Sequence, residues 1–207
     1  MPPGKARMTA SRNPASEDLD LVKLALAGSQ DAYRDLLLRY QRPVLSVVRR
    51  MVGNSTVAED LAQEVFLKAF RALEGFDQNR KFSSWLFKIA HNTAIDQLRR
   101  RQLNTVPLET PNPDEPDLVS VLPDAGTETP ETRAHRRDLA SAIESAVAKL
   151  KPIYREVVAL RYQEGLAYDE IAEITGLPLG TVKTHLFRAR KAMVGHLESE
   201  GWRPGNE

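Results

Sequence analysis

Residues 102–131, QLNTVPLETPNPDEPDLVSVLPDAGTETPE, contain six prolines, seven acidic residues and no basic one. Such a tract has too little apolar surface to offset its ordering entropy, and its like charges repel. It reads as an acidic, Pro-rich flexible linker, and it divides the chain into residues 18–101 and 132–200. Halves this short bury only a modest fraction of their surface, so each is expected to form several helices around one small core. Within the linker, the apolar piece Leu118 to Leu122 is a candidate docking point. Residues 1–17, rich in Pro, Ser and Ala and without periodicity, read as a disordered N-terminal segment. Met8 is a second candidate start.

Both halves repeat apolar residues at steps of three and four, the period of amphipathic helices, and neither shows strand-like alternation. The fold class is therefore all-α, with two small helical domains. In STVAEDLAQEVFLKAFRAL, Leu61, Val65, Phe66, Ala69 and Leu73 make the buried stripe, and Ser55 or Thr56 is the expected cap. Pro43 is expected to kink a helix or to start a new one. In FSSWLFKIAHNTAIDQLRRR, Leu86, Ile89, Ala90, Ala94 and Leu98 face a core. Lys88, Asn92 and Arg99 share another face, with Trp85, Phe87 and Lys81 near its start. Aromatics interleaved with cations suit unstacked single-stranded bases. Core packing is the competing reading, and for Trp85 it is preferred.

The stretch Tyr168 to Met193 reads as a helix-turn-helix. Gly176 ends the first helix in a left-handed conformation, Pro178 cannot continue it, and Thr181 stands at the start of the second. Val182, Leu186, Ala189 and Met193 face inward, while Lys183, Thr184, Arg188 and Lys191 face out. The tail from Gly201 is expected to fray.

The net charge of +1 conceals a segregation. Residues 18–101 carry fourteen basic and ten acidic side chains, and residues 132–207 carry twelve and ten. Two mildly basic blocks flank an acidic strap, and nucleic-acid binding shows in such distributions. The absence of cysteine excludes disulfides and thiolate metal sites. The four histidines lack metal spacing, and no glycine loop suits a phosphate. No cofactor, metal, catalytic residue or small-molecule substrate is expected. With no membrane span and no apolar leader, the expected location is the cytoplasm.

In order along the chain, AEDLAQEVFLKAFRAL, FSSWLFKIAHNTAIDQLRRR, and YREVVALRY followed by TVKTHLFRARKAM resemble bacterial RNA polymerase sigma factors of the extracytoplasmic-function (ECF) subfamily. The resemblance covers about residues 18–198. It implies that residues 18–101 are sigma region 2 and residues 132–200 are sigma region 4. Core RNA polymerase (through its beta-prime clamp and beta flap) and promoter DNA are the implied partners, as is an anti-sigma protein, often membrane-anchored in this family. By position, Asp60, Gln63 and Glu64 would contact the polymerase clamp. Phe87 and Asn92 would hold a flipped −10 base, with Lys81, Lys88 and Arg99 nearby on the −10 DNA. Lys183, Thr184, His185 and Arg188 would face the −35 element. Lys183 and His185 stand where many members have arginine, and lysine lacks arginine's bidentate grip on guanine. The alternative is a helix-turn-helix regulator that binds DNA without polymerase. It leaves the first hundred residues unexplained.

Overall fold

The computed structural model describes residues 14–104 and 130–202. Four helices precede the linker: α1 (Pro14–Leu26), α2 (Gln30–Val52), α3 (Ser55–Arg71) and α4 (Phe82–Asn104). Four follow it: α5 (Pro130–Ala148), α6 (Pro152–Val158), α7 (Tyr168–Thr175) and α8 (Leu179–Ser199). No strand occurs among the described residues.

Helix boundaries follow local chemistry. Ser29 caps α2 by accepting the Ala32 N–H at 3.3 Å. Gly53, at φ +72°, closes α2 in the left-handed region. The cap of α3 is Asn54, whose Oδ1 accepts the Val57 N–H at 3.0 Å, rather than Ser55 or Thr56. Asparagine ranks with the best caps, so the helix starts one residue early. Pro43 neither breaks nor restarts α2. An interior proline costs about 3 kcal/mol. Val44, Val47, Val48 and Met51 beyond it are fully buried, and each such burial stabilises by about 1.5–3 kcal/mol. Packing wins.

Two expected boundaries move. Residues 14–17 are helical, because α1 is held to α2 from its first turns. Arg39 pairs with Glu17 at 2.8 Å and with Asp18 at 2.6 Å, and the Tyr40 hydroxyl donates to Asp18. Residues 1–13 lie outside the described residues, as does most of the linker, including Leu118 to Leu122. At Trp202 the tail is still engaged: its N–H donates to Leu197 O at 2.9 Å, and its ring lies 5.3 Å from His135.

Separate cores were expected, but the buried side chains of both halves form one continuous cluster. Helix α4 packs on α7 and α2 packs on α6. Arg155 of α6 reaches the C-terminal end of α2, donating to Met51 O at 3.4 Å, and Arg101 of α4 donates to Val52 O at 3.3 Å. Cations there complement the negative end of the helix dipole. Burial and the neighbouring Arg50 push the Arg155 guanidinium down from its ordinary value. After α6 the chain widens into a π turn over Ala159–Gln163, closed by Glu164 N–H to Ala159 O at 3.2 Å. Such turns reset the direction of a helix, and here α7 follows.

Candidate nucleic-acid interface

In the C-terminal half, Gly176 takes φ +69° and α8 begins at Leu179 behind Pro178. Thr181 therefore lies in the first turn rather than at the cap. Val182, Leu186 and Ala189 are buried, which turns Lys183, Thr184 and Arg188 outward, where they are exposed. Thr184 Oγ1 donates to Gly180 O at 2.9 Å, fixing its rotamer. His185 does not join this face. Its ring meets Tyr154 of α6 edge-on at 5.0 Å, and Nδ1 is buried with no hydrogen-bond partner among the described residues. Burial, with the nearby Arg188 charge, pulls its pKa below the ordinary histidine value. The correction follows from helical spacing: position 185 lies three residues after the buried Val182 and four before the buried Ala189.

In the N-terminal half, α4 buries Phe82, Leu86, Ala90 and Ala94. Phe87 is buried with them at 1% exposure, 6.5 Å from the Tyr40 ring. It therefore has no free face on which a base can stack in this conformation, and the expected stacking role does not hold. Trp85 is only partly buried, against Phe76 at 5.1 Å and Phe82 at 5.7 Å. Lys81, Lys88, Asn92 and Arg99 are exposed, with Arg99 loosely beside Asp96 at 3.9 Å.

On α3, Asp60 and Gln63 are exposed and Glu64 partly so, opposite the buried Leu61, Val65, Phe66 and Ala69. Glu64 pairs with Lys68 at 2.7 Å, and Lys68 also donates to Thr93 Oγ1 at 3.2 Å.

The structure also joins residues that the sequence did not connect. Lys81 Nζ meets Glu170 Oε1 of α7 at 2.8 Å, Arg80 pairs with Glu173, and Lys88 Nζ donates to Glu173 O at 2.7 Å. Ser84 Oγ donates to Glu170 Oε1 at 3.4 Å. Burial pushes the Glu170 carboxyl up, but Lys81, the Ala167 N–H and Ser84 outweigh it and hold the group below the ordinary glutamate range. Behind these contacts His91 Nδ1 lies 2.6 Å from Oε1 of the fully buried Glu156. Arg50 grips Glu144 through two nitrogens at 2.8 and 3.1 Å and also reaches Gln163 at 3.1 Å. These partners lie 65 to 117 residues apart once Ser46 to Gln163 is included, so periodicity within either half carries no trace of them.

Residues 36–103 match the family Sigma-70 region 2, and residues 140–193 match Sigma-70, region 4. These two regions together define a sigma factor of RNA polymerase. The ECF sigma factor SigW of Bacillus subtilis is 36% identical over 185 residues, covering 83% of this chain and 92% of the relative. The ECF sigma-E factor of Escherichia coli K12 is 35% identical over 181 residues, covering 85% and 92%. The chain belongs to the ECF family of RNA polymerase sigma factors. Among solved structures it is similar to CnrH in complex with the cytosolic domain of CnrY (TM-score 0.59, 25% identity, 88% of this chain and 97% of that one). The fold is shared with RpoE of Bartonella quintana in complex with the anti-sigma factor NepR (TM-score 0.58, 23% identity, 80% and 96%). Among the described residues no helix is long and apolar enough to cross a membrane.

Proposed function

We propose that residues 18–101 read melted −10 DNA and that residues 132–200 read the −35 duplex, on behalf of core RNA polymerase. As an ECF sigma factor, the chain binds core polymerase and directs promoter-specific initiation. The observation that supports the division of labour is the pair of exposed polar faces. Lys183, Thr184 and Arg188 stand on the second helix of a helix-turn-helix, the element that enters a major groove. Lys88, Asn92 and Arg99 stand on α4, with Lys81 just before its N-terminus. Asp60, Gln63 and Glu64 supply the polymerase contact on α3. The polar character of all three faces fits a cytoplasmic, non-enzymatic initiation factor. The solved relative held by NepR supports an anti-sigma protein as a further partner.

The test is run-off transcription with purified core polymerase on a genomic promoter library. Transcripts starting downstream of one shared −35/−10 pair are expected. Specific binding of the free chain to duplex DNA, with no polymerase-dependent transcript, would favour the stand-alone regulator instead.

A further inference from the structure

We propose that α7 is an autoinhibitory cover: its acidic edge occupies the −10 face of α4 in the free chain and must leave before DNA binds. The inference rests on the −10 assignment above. Arg80, Lys81 and Lys88 form the basic start of that face, and all three are tied to residues of one helical turn of α7. Glu170 and Glu173, three residues apart, lie on the same side of α7. Their carboxylates meet Lys81 and Arg80, and the Glu173 backbone oxygen takes Lys88. Two carboxylates and one carbonyl oxygen thus stand on the cations that a nucleic-acid backbone would need. The cover is partial. Asn92 and Arg99, further along α4, and Lys183 and Arg188 on α8 stay exposed. The closed chain therefore masks one promoter-reading surface and leaves the other open.

Geometry makes closure incompatible with use. Elements centred about 25 base pairs apart lie roughly 85 Å apart at 3.4 Å per step. A chain whose α4 touches the first helix of its own helix-turn-helix cannot read both. The ion pairs of the cover are solvent-accessible, so salt screens them and makes them reversible.

The experiment uses the full-length chain carrying Glu173→Lys with Glu170→Gln. The amide oxygen of the second substitution preserves the acceptor that holds the Ala167 N–H at 2.8 Å. Asp20→Lys with Glu74→Gln adds the same charge elsewhere and serves as control. Small-angle scattering reads compaction. Fluorescence anisotropy reads binding to a labelled single-stranded DNA of random sequence. The expected result is a larger radius of gyration and at least a fivefold gain in DNA affinity over both wild type and control. A variant as compact as wild type overturns the proposal, as does expansion without a gain in affinity over the control. Circular dichroism checks folding; should the pair of substitutions unfold, Glu173→Gln alone carries the same test with the same criteria. The charge swap Arg80→Glu with Glu173→Lys should restore the wild-type radius. Promoter opening by holoenzyme carrying Lys81→Ala and Lys88→Ala is read separately. Its loss upholds the −10 assignment even where the cover fails.

Discussion

Replacing His91 by alanine should open the molecule. Glu156 is fully buried where α6 meets the N-terminal half, and its Oε2 has no hydrogen-bond partner. Among the described residues only the 2.6 Å contact from Oε1 to His91 Nδ1 serves the carboxylate. Removing one partner of a buried hydrogen bond costs about 1–3 kcal/mol, because the other is left desolvated and unsatisfied. In an open chain water reaches Glu156 and this penalty vanishes. His91→Ala should therefore shift the closed-to-open ratio by about one to two decades, at 1.4 kcal/mol per decade. Where the halves melt as one unit, 3 kcal/mol corresponds to a fall in Tm of roughly 6–12 °C for a chain of this length. Small-angle scattering and thermal melting check both. Replacing the pair together, His91→Leu with Glu156→Leu, should restore closure, since apolar residues of similar volume replace a buried pair at little cost. A scattering curve and Tm for His91→Ala indistinguishable from wild type would refute the reasoning.

Three further outcomes are expected. Burial pushes the Glu164 carboxyl up to about 6, so its stabilising contribution is present below about pH 4.5 and is lost as pH rises through 6. Glu164→Gln should then raise stability at pH 7 by on the order of 1 kcal/mol after discounting for solvent screening, with the difference shrinking to nothing below pH 4.5 in melting experiments. Gln63→Ala with Glu64→Ala should weaken core polymerase binding in an anisotropy titration while helicity is unchanged, because both side chains lie outside the buried stripe. Arg188→Ala should reduce promoter use about ten- to a hundredfold, from a base contact worth roughly 1–3 kcal/mol; equal sensitivity of wild type and variant to −35 changes would show that Arg188 reads no base.

The sequence was most legible where structure is local. The helix-turn-helix, the amphipathic stripe of α3 and the outward turn of Lys183, Thr184 and Arg188 all follow from spacing and cap chemistry. Errors arose where two local signals competed. Asn54 and Ser55 are both good caps, and the structure takes the earlier one. Phe87 and Trp85 are both aromatic at the start of α4; Trp85 packs against the core, as preferred, but Phe87, expected to stack on a base, is buried there too. Phe87 sits one position after the buried Leu86 and faces Tyr40, while Trp85 lies at the rim. The contacts between halves were illegible for a different reason. Arg50 with Glu144 and His91 with Glu156 are single residues on helices that are amphipathic for other reasons. Only the placement of α6 and α7 against α2 and α4 gives them partners.

That placement sets an energetic problem that the linker helps to solve. The shared core means that separating the halves exposes apolar surface as well as breaking ion pairs, so opening is uphill in the isolated chain. The 25 residues between Asn104 and Pro130 can span at most roughly 85 Å, which, added to the lengths of the two helical units, is enough to let them reach elements about 85 Å apart. Polymerase must then offer each half a surface at least as favourable as the one they offer each other. On this account a substitution at the α4–α7 or α2–α6 contact should increase apparent affinity for core polymerase, because less closed chain has to be opened first. The gain should equal the ratio of the open fractions of variant and wild type, so His91→Ala, which breaks a buried contact, should exceed Glu173→Gln, which breaks an exposed one. The reverse order in a core-binding titration would mean that polymerase engages the closed chain directly.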